Sequence, residues 1–133
     1  MARFTYPTRR AIEKLCQELD LQRPDAYSQE WEYETAYETR IEEFIDYYLN
    51  NDLDDETKFT LMLVIVNSAN EAGESEKLDA ILLNRIISVL TNDKEIHENT
   101  IRYWSMGTED LEDCFYITPY VREVEKLIDK HET

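Results

Sequence analysis

Two glycines and three prolines in 133 residues leave this chain few places to turn sharply. Glycine supplies left-handed backbone and proline pre-sets turn geometry, so a chain poor in both makes few tight turns. An all-β sandwich of this length needs many of them. Abundant Glu, Leu, Ile and Ala favour helices instead. With 42% hydrophobic and 11% aromatic residues, the chain has the means to build a core despite 33% charged residues. The composition therefore predicts an all-α fold, with residues 1–133 as a single domain.

Apolar periodicity divides the chain into six helices. Thr8 is placed to cap the first, which carries Ile12, Leu15, Cys16 and Leu19 at helical spacing. Arg9 and Arg10 in its first turn have the wrong sign for the helix dipole; nothing local explains them, and acids elsewhere are candidate partners. A connection through Pro24-Asp25 follows. In the second helix Tyr33, Tyr37, Ile41, Phe44, Ile45 and Tyr48 share one face, and Glu34, Glu38, Glu42, Glu43 and Asp46 fall mostly on the other. Thr35-x-x-Glu38 fits a capping box, so this helix starts at Thr35 or, on a longer reading, near Ser28. Asn50-Asn51-Asp52 ends it.

Asp54 as N-cap, with Asp55 and Glu56 behind it and Leu53 as a staple, opens the third helix. Phe59, Met62, Leu63 and Val66 form its stripe, and Leu61, Val64 and Ile65 fill the other sides, which predicts a central, buried helix. A buried strand over Phe59–Val66 is the rival; the acidic start, the polar NSANEA tail and Gly73 as a C′ residue favour helix. Ser75 is read as the cap of a fourth helix with Leu78, Ile81, Leu82, Ile86, Val89 and Leu90. Asp93 is read as the cap of a fifth with Ile96, Thr100, Tyr103 and Trp104 on one face. An acidic loop, Ser105–Ile117, precedes a sixth with Thr118 at N-cap, Pro119 at N1 and Val121, Val124 and Ile128 inside. No period of 20–50 residues repeats and no heptad runs on, so the expectation is a compact, irregular bundle.

Charge is distributed unevenly over this frame. Asp25–Glu56 holds twelve acidic residues against Arg40 alone, a net −11 of the chain's −16, together with five of the nine tyrosines and Trp31. That charge speaks against nucleic acid, whose phosphates are met by Lys and Arg, and against anionic membrane surfaces. A basic protein is the natural partner. Solubility alone is the plain alternative for the total charge. MARFTYPTRR has no apolar core of a secretory signal, and the apolar run Leu61–Val66 is too short to span a bilayer. Cys16 and Cys114 form no CxxC and Cys16 falls on an apolar stripe, so the expected setting is a reducing cytoplasm.

Glu38, Glu42, Glu43 and Asp46 have the spacing with which all-helical nucleotide pyrophosphohydrolases hold Mg²⁺, but no second inward acidic pair is evident and Arg40 is the lone nearby base. A solvated acidic face is the simpler reading. His97 and His131 have no ligand spacing and read as surface residues. Cys114 lies among acids, a poor setting for a thiolate. No GxSxG or P-loop is present. The sequence therefore gives no catalytic residue, no metal ligand and no cofactor.

A binding surface uses different residues. Tyr47 does not fit the apolar stripe of the second helix and stands beside Glu43, Asp46 and Asp52. Aromatic anchors ringed by carboxylates suit a basic protein surface. Trp31 extends this set if the helix starts early. An acidic Tyr-Tyr segment of this kind, Asp46-Tyr47-Tyr48 with Asp52, resembles the helical immunity proteins that neutralise bacterial nuclease toxins. The resemblance covers that segment and the small, acidic, cysteine-poor character of the chain. It implies inhibition by binding, with carboxylates facing the toxin's basic site and tyrosines as the hot spot. An adaptor subunit of a larger assembly would use the same surface.

Overall fold

The computed structural model describes residues 4–23, 37–106, 110 and 114–132. Six helices are found there, with no strand among the described residues: α1 (Arg9–Leu19), α2 (Ile41–Asn50), α3 (Asp55–Glu74), α4 (Ala80–Asn92), α5 (Glu98–Ser105) and α6 (Thr118–Glu132). The all-α expectation holds. Trp31, Tyr33, Thr35, Glu109, Glu112 and Asp113, and the side chain of His131, lie outside the described residues.

Side-chain caps fix where α1, α3 and α4 begin. Thr8 Oγ1 accepts from Ala11 N at 3.2 Å, and Asp54 Oδ1 accepts from Thr57 N at 2.8 Å. The Arg10 guanidinium reaches both Asp54 (2.8 Å) and Glu56, so the first turn of α1 is neutralised by the first turn of α3. The dipole mismatch of Arg10 is thus offset by a tertiary contact, while Arg9 pairs with Glu13 at 3.3 Å.

Helix α3 is the centre. It is buried on nearly every side, from Phe59 through Ala72, and packs against α1, α2 and α4. Helix α4 in turn touches α6, which lies along α5. One apolar cluster draws on all six helices, including Leu15, Phe44, Ile65, Ile86, Ile101 and Val124, and Cys16 is buried within it. Buried polar groups on α3 tie down its surroundings: Ser68 Oγ accepts from Tyr37 N at 2.8 Å, and Asn70 Oδ1 from Ile117 N at 3.3 Å. No helix among the described residues is long and apolar enough to cross a membrane.

Several boundaries differ from the sequence reading, each for a local reason. Helix α2 starts at Ile41, because Tyr37–Arg40 form a turn closed by Arg40 N to Tyr37 O at 3.0 Å. Helix α4 is capped by Asp79, whose carboxylate accepts from Ile81 N at 2.6 Å, and not by Ser75, which ends α3. Ile81 is consequently 70% exposed and Leu83 faces inward. Asp93 closes α4 instead of opening α5, and Thr118 is the first residue of α6 with its hydroxyl buried. Gly73 lies inside α3, and the left-handed residue after it is Glu76 at φ 59°. The glycine is needed for space: a Cβ there would come within 2.0 Å of the Tyr116 ring.

Candidate functional site

Helix α2 carries four of the five residues singled out for partner binding or its flank, and it has two unlike faces. Ile41, Phe44, Ile45 and Tyr48 are buried in the core. Glu42, Asp46 and Leu49, at i, i+4 and i+7, form the outer stripe; Glu42 is exposed and Leu49 is 56% exposed.

Arg40 organises the start of the helix. Its guanidinium makes a two-point contact with Glu43, at 2.9 and 2.8 Å, and donates to the Leu19 carbonyl at 2.6 Å. It also lies 5.3 Å from the Tyr37 ring centroid and 5.0 Å from that of Phe44. Arg40 holds the Glu43 carboxyl below the usual carboxylate range. Glu43 is therefore engaged within the molecule. Asp46 is half-exposed and accepts from Arg85 of α4 at 2.7 Å. Asp52, past the helix end, is exposed. Glu42 and Asp52 make no ion pair with any described residue.

Tyr47 is only half-exposed and packs against the core cluster. Its hydroxyl is shielded from solvent and meets no hydrogen-bond partner. Burial, with the Glu18 carboxylate nearby, pushes its phenol up to about 12. Of the predicted set, Glu43, Asp46, Tyr47 and Asp52 share one helix and its exit, but Asp52 alone stands free. Glu38 precedes the helix in a turn and pairs with Lys77 at 3.4 Å. The four carboxylates weighed as Mg²⁺ ligands are thus each drawn elsewhere or left on the outer face. Among the described residues no group of three His, Cys, Asp or Glu is arranged to hold a metal.

The inner end of α2 holds a group that sequence reasoning missed. His97 is 0% exposed, at the mouth of α5, where the sequence suggested a surface residue. Its Nε2 lies 2.8 Å from the Tyr48 hydroxyl, and that hydroxyl donates to Asp93 Oδ2 at 2.6 Å. Lys58 Nζ is 3.9 Å from the same carboxylate oxygen and 5.7 Å from the Tyr48 ring centroid. Since the single phenol proton goes to Asp93, His97 must donate from Nε2, which leaves Nδ1 as a buried acceptor with no partner. A second proton on the ring would be a buried, unmet donor. Burial pushes the His97 pKa down to about 4, with Lys58 adding to that effect and Asp93 and Asp55 opposing it. Burial, then Asp93, holds the Tyr48 phenol protonated far above its ordinary range.

A signal for this burial exists in the sequence. His97, Ile101 and Trp104 recur at i, i+4 and i+7, and all three are buried. Beside the network a shallow cleft of about 340 Å³ opens between Asp55 and the segment Asn92–Ile96, lined by Asp93, Lys94 and Glu95. Comparison with family models, with characterised proteins and with solved structures finds no match for this chain.

Proposed function

We propose that this chain is an acidic helical binding module that inhibits a basic protein partner, in the manner of immunity proteins that neutralise bacterial nuclease toxins. The reading rests on charge that the molecule leaves unanswered. Glu42 and Asp52 are exposed at the two ends of the α2 outer stripe without ion pairs among the described residues, in a chain of net −16. Exposed carboxylates on a helix and at its exit raise encounter rates with a cationic surface and select against anionic ones. A toxin's nucleic-acid site is such a cationic surface, and covering it inhibits without any catalytic step. Neither described cysteine is in a disulfide, which suits a reducing cytoplasm.

The test is capture from a lysate of the source organism at low and moderate salt, with wild type and Glu42→Lys/Asp52→Lys as baits. A basic protein held by wild type, released by salt and lost by the charge reversal is expected, and its activity on nucleic acid should fall in proportion to the module added. A partner that is retained equally by both baits would overturn the reading.

A further inference from the structure

We infer that the carboxyl end of α3, where Tyr116 and Tyr120 lie beside Glu74, is a second docking surface, and that its occupant is an arginine side chain presented by another protein. The inference stands apart from the α2 reading and uses none of its residues.

The molecule already contains one such arrangement, filled by its own arginine. The Tyr37 and Phe44 ring centroids are 6.0 Å apart, and the Arg40 guanidinium lies 5.3 and 5.0 Å from them. Arg40 Nε and Nη2 donate to the Glu43 carboxylate at 2.9 and 2.8 Å. A guanidinium suits such a place because its flat face stacks on aromatic rings while its edge donates to a carboxylate. At the end of α3 the same components recur without the arginine. The Tyr116 and Tyr120 centroids are 6.2 Å apart with the rings tilted by 37°, and the two residues are 40% and 41% exposed. Among the described residues no cation lies over either ring.

The contacts of Tyr116 and its neighbour place these rings beside the last turn of α3. The Tyr116 ring lies against Gly73, so closely that a Cβ there would clash with it. Asn70 Oδ1 accepts from Ile117 N at 3.3 Å. Glu74 follows Gly73 directly and stands one turn after Asn70, on the side of α3 that meets this segment. Glu76 folds back over the same turn, donating from its backbone N to the Gly73 carbonyl at 3.0 Å.

Charge identifies the occupant. Glu74 and Glu76 are exposed and pair with no cation among the described residues. Lys77, the neighbouring base, is held by Glu38 at 3.4 Å. Helix α3 has no basic residue in its last turn, so the negative end of its dipole adds to these carboxylates. Lysine would answer the charge but lacks a flat face to lay on the rings. Free arginine carries an α-carboxylate that Glu74 and Glu76 repel, and within a polypeptide that charge is gone. An arginine of a second protein meets every requirement.

The experiment titrates the full chain, labelled with ¹⁵N, with N-acetyl-L-argininamide at moderate salt. Parallel titrations use the uncharged citrulline analogue, N-acetyl-L-lysinamide and free L-arginine. The arginine amide should shift amides in 71–77 and 116–120, and the citrulline amide should do nothing. The lysine amide and free arginine should bind about threefold more weakly or worse. Tyr120→Leu, which keeps an apolar side chain, and Glu74→Gln should each weaken the arginine amide by about threefold, with the other amides and the melting midpoint little changed. An arginine amide that shifts nothing in these two segments, a citrulline or lysine amide that binds equally well, or unchanged affinity in either variant overturns the inference. Equally tight free arginine overturns a protein as the source. None of these outcomes bears on the α2 surface, which the capture with Glu42→Lys/Asp52→Lys tests separately.

Discussion

Tyr47 and Tyr48 are neighbours in sequence and opposites in circumstance. Tyr48 enters the core and its hydroxyl joins Asp93 to His97 at 2.6 and 2.8 Å. Tyr47 lies along the flank, its ring half-buried and its hydroxyl shielded without a partner. The same division runs the length of α2. Its inner face is a dense apolar surface that ends on a buried polar network, and its outer face is a row of carboxylates and one exposed leucine. A buried hydrogen-bonded network is sensitive to every atom because each orphaned group has lost water as well as its partner. An exposed face tolerates substitution without loss of folding, and so is free to be specified by what it binds. The inner face should therefore govern stability and the outer face association.

The strongest contrast comes from truncation on the inner face. Tyr48→Ala removes a buried ring and leaves the His97 Nε2 donor unmet, and should cost about 4 kcal/mol in urea unfolding. Leu49→Ala, one residue on and exposed, should change stability by less than about 0.5 kcal/mol. Similar losses at both positions would erase the distinction between the faces.

Acid should act on the same network. The folded His97 pKa of about 4 lies below the ordinary 6.5, so between those values the unfolded chain binds the proton that the folded chain rejects. Stability from this group is therefore complete above pH 6.5 and is lost as pH falls toward 4. A shift of that size corresponds to about 3 kcal/mol. Unfolding free energy measured across pH 4–7 should show this slope, and the imidazole proton resonance of His97 should titrate near 4. In His97→Phe the slope above about pH 5, where a carboxylate of ordinary pKa is already ionised, should largely disappear. A His97 midpoint near 6.5 in the folded protein would mean that the ring reaches water.

A single oxygen atom gives a finer test of the two tyrosines. Tyr48→Phe deprives Asp93 of a donor and His97 of an acceptor, and should destabilise by about 2 kcal/mol. Tyr47→Phe removes a shielded hydroxyl that makes no hydrogen bond, and should be neutral or stabilise by about 0.5 kcal/mol. A clear loss at Tyr48 against no loss at Tyr47 is expected in parallel urea titrations. A loss at Tyr47 comparable to that at Tyr48 would reveal a working hydrogen bond, with Glu18 as the acceptor to suspect.

The legible parts of this molecule were those written in local chemistry. The Asp54 cap with its acidic first turn fixes the start of α3, and the all-round apolar content of Phe59–Val66 marks that helix as central. Cys16 lies on the inner stripe of α1 as its spacing suggests. What sequence periodicity could not resolve was competition between equally good local signals. Ser75 and Asp79 both have N-cap side chains, and the chain uses Asp79, which turns Ile81 outward. Asp93 resembles an N-cap but serves at the end of α4, where its carboxylate is taken by Tyr48. The face drawn through Ile96, Thr100, Tyr103 and Trp104 leaves out His97, yet Tyr103 is exposed and His97 is buried. Gly73 suggests a C-cap by composition, whereas its role depends on Tyr116, a residue 43 positions away that only tertiary structure brings close.

The outer face predicts the smallest effects, and the Asp46–Arg85 pair is where they are best measured. At 2.7 Å the contact is short, but the two side chains retain 49% and 32% of their exposure, so water and salt screen it. Asp46→Ala and Arg85→Ala should each cost less than about 1 kcal/mol, and a double-mutant cycle should assign about 0.5 kcal/mol to the pair, declining with added salt. A coupling of that size would make the pair a minor part of what holds α2 to α4. Asp46→Ala should then weaken a basic partner, because it leaves the Arg85 cation unpaired, while Arg85→Ala should strengthen one, because it frees the Asp46 carboxylate. A coupling above about 2 kcal/mol would place the pair with the Tyr48 network as part of what keeps the helices together, and the division of α2 into a stabilising and a binding face would have to be redrawn along a different line.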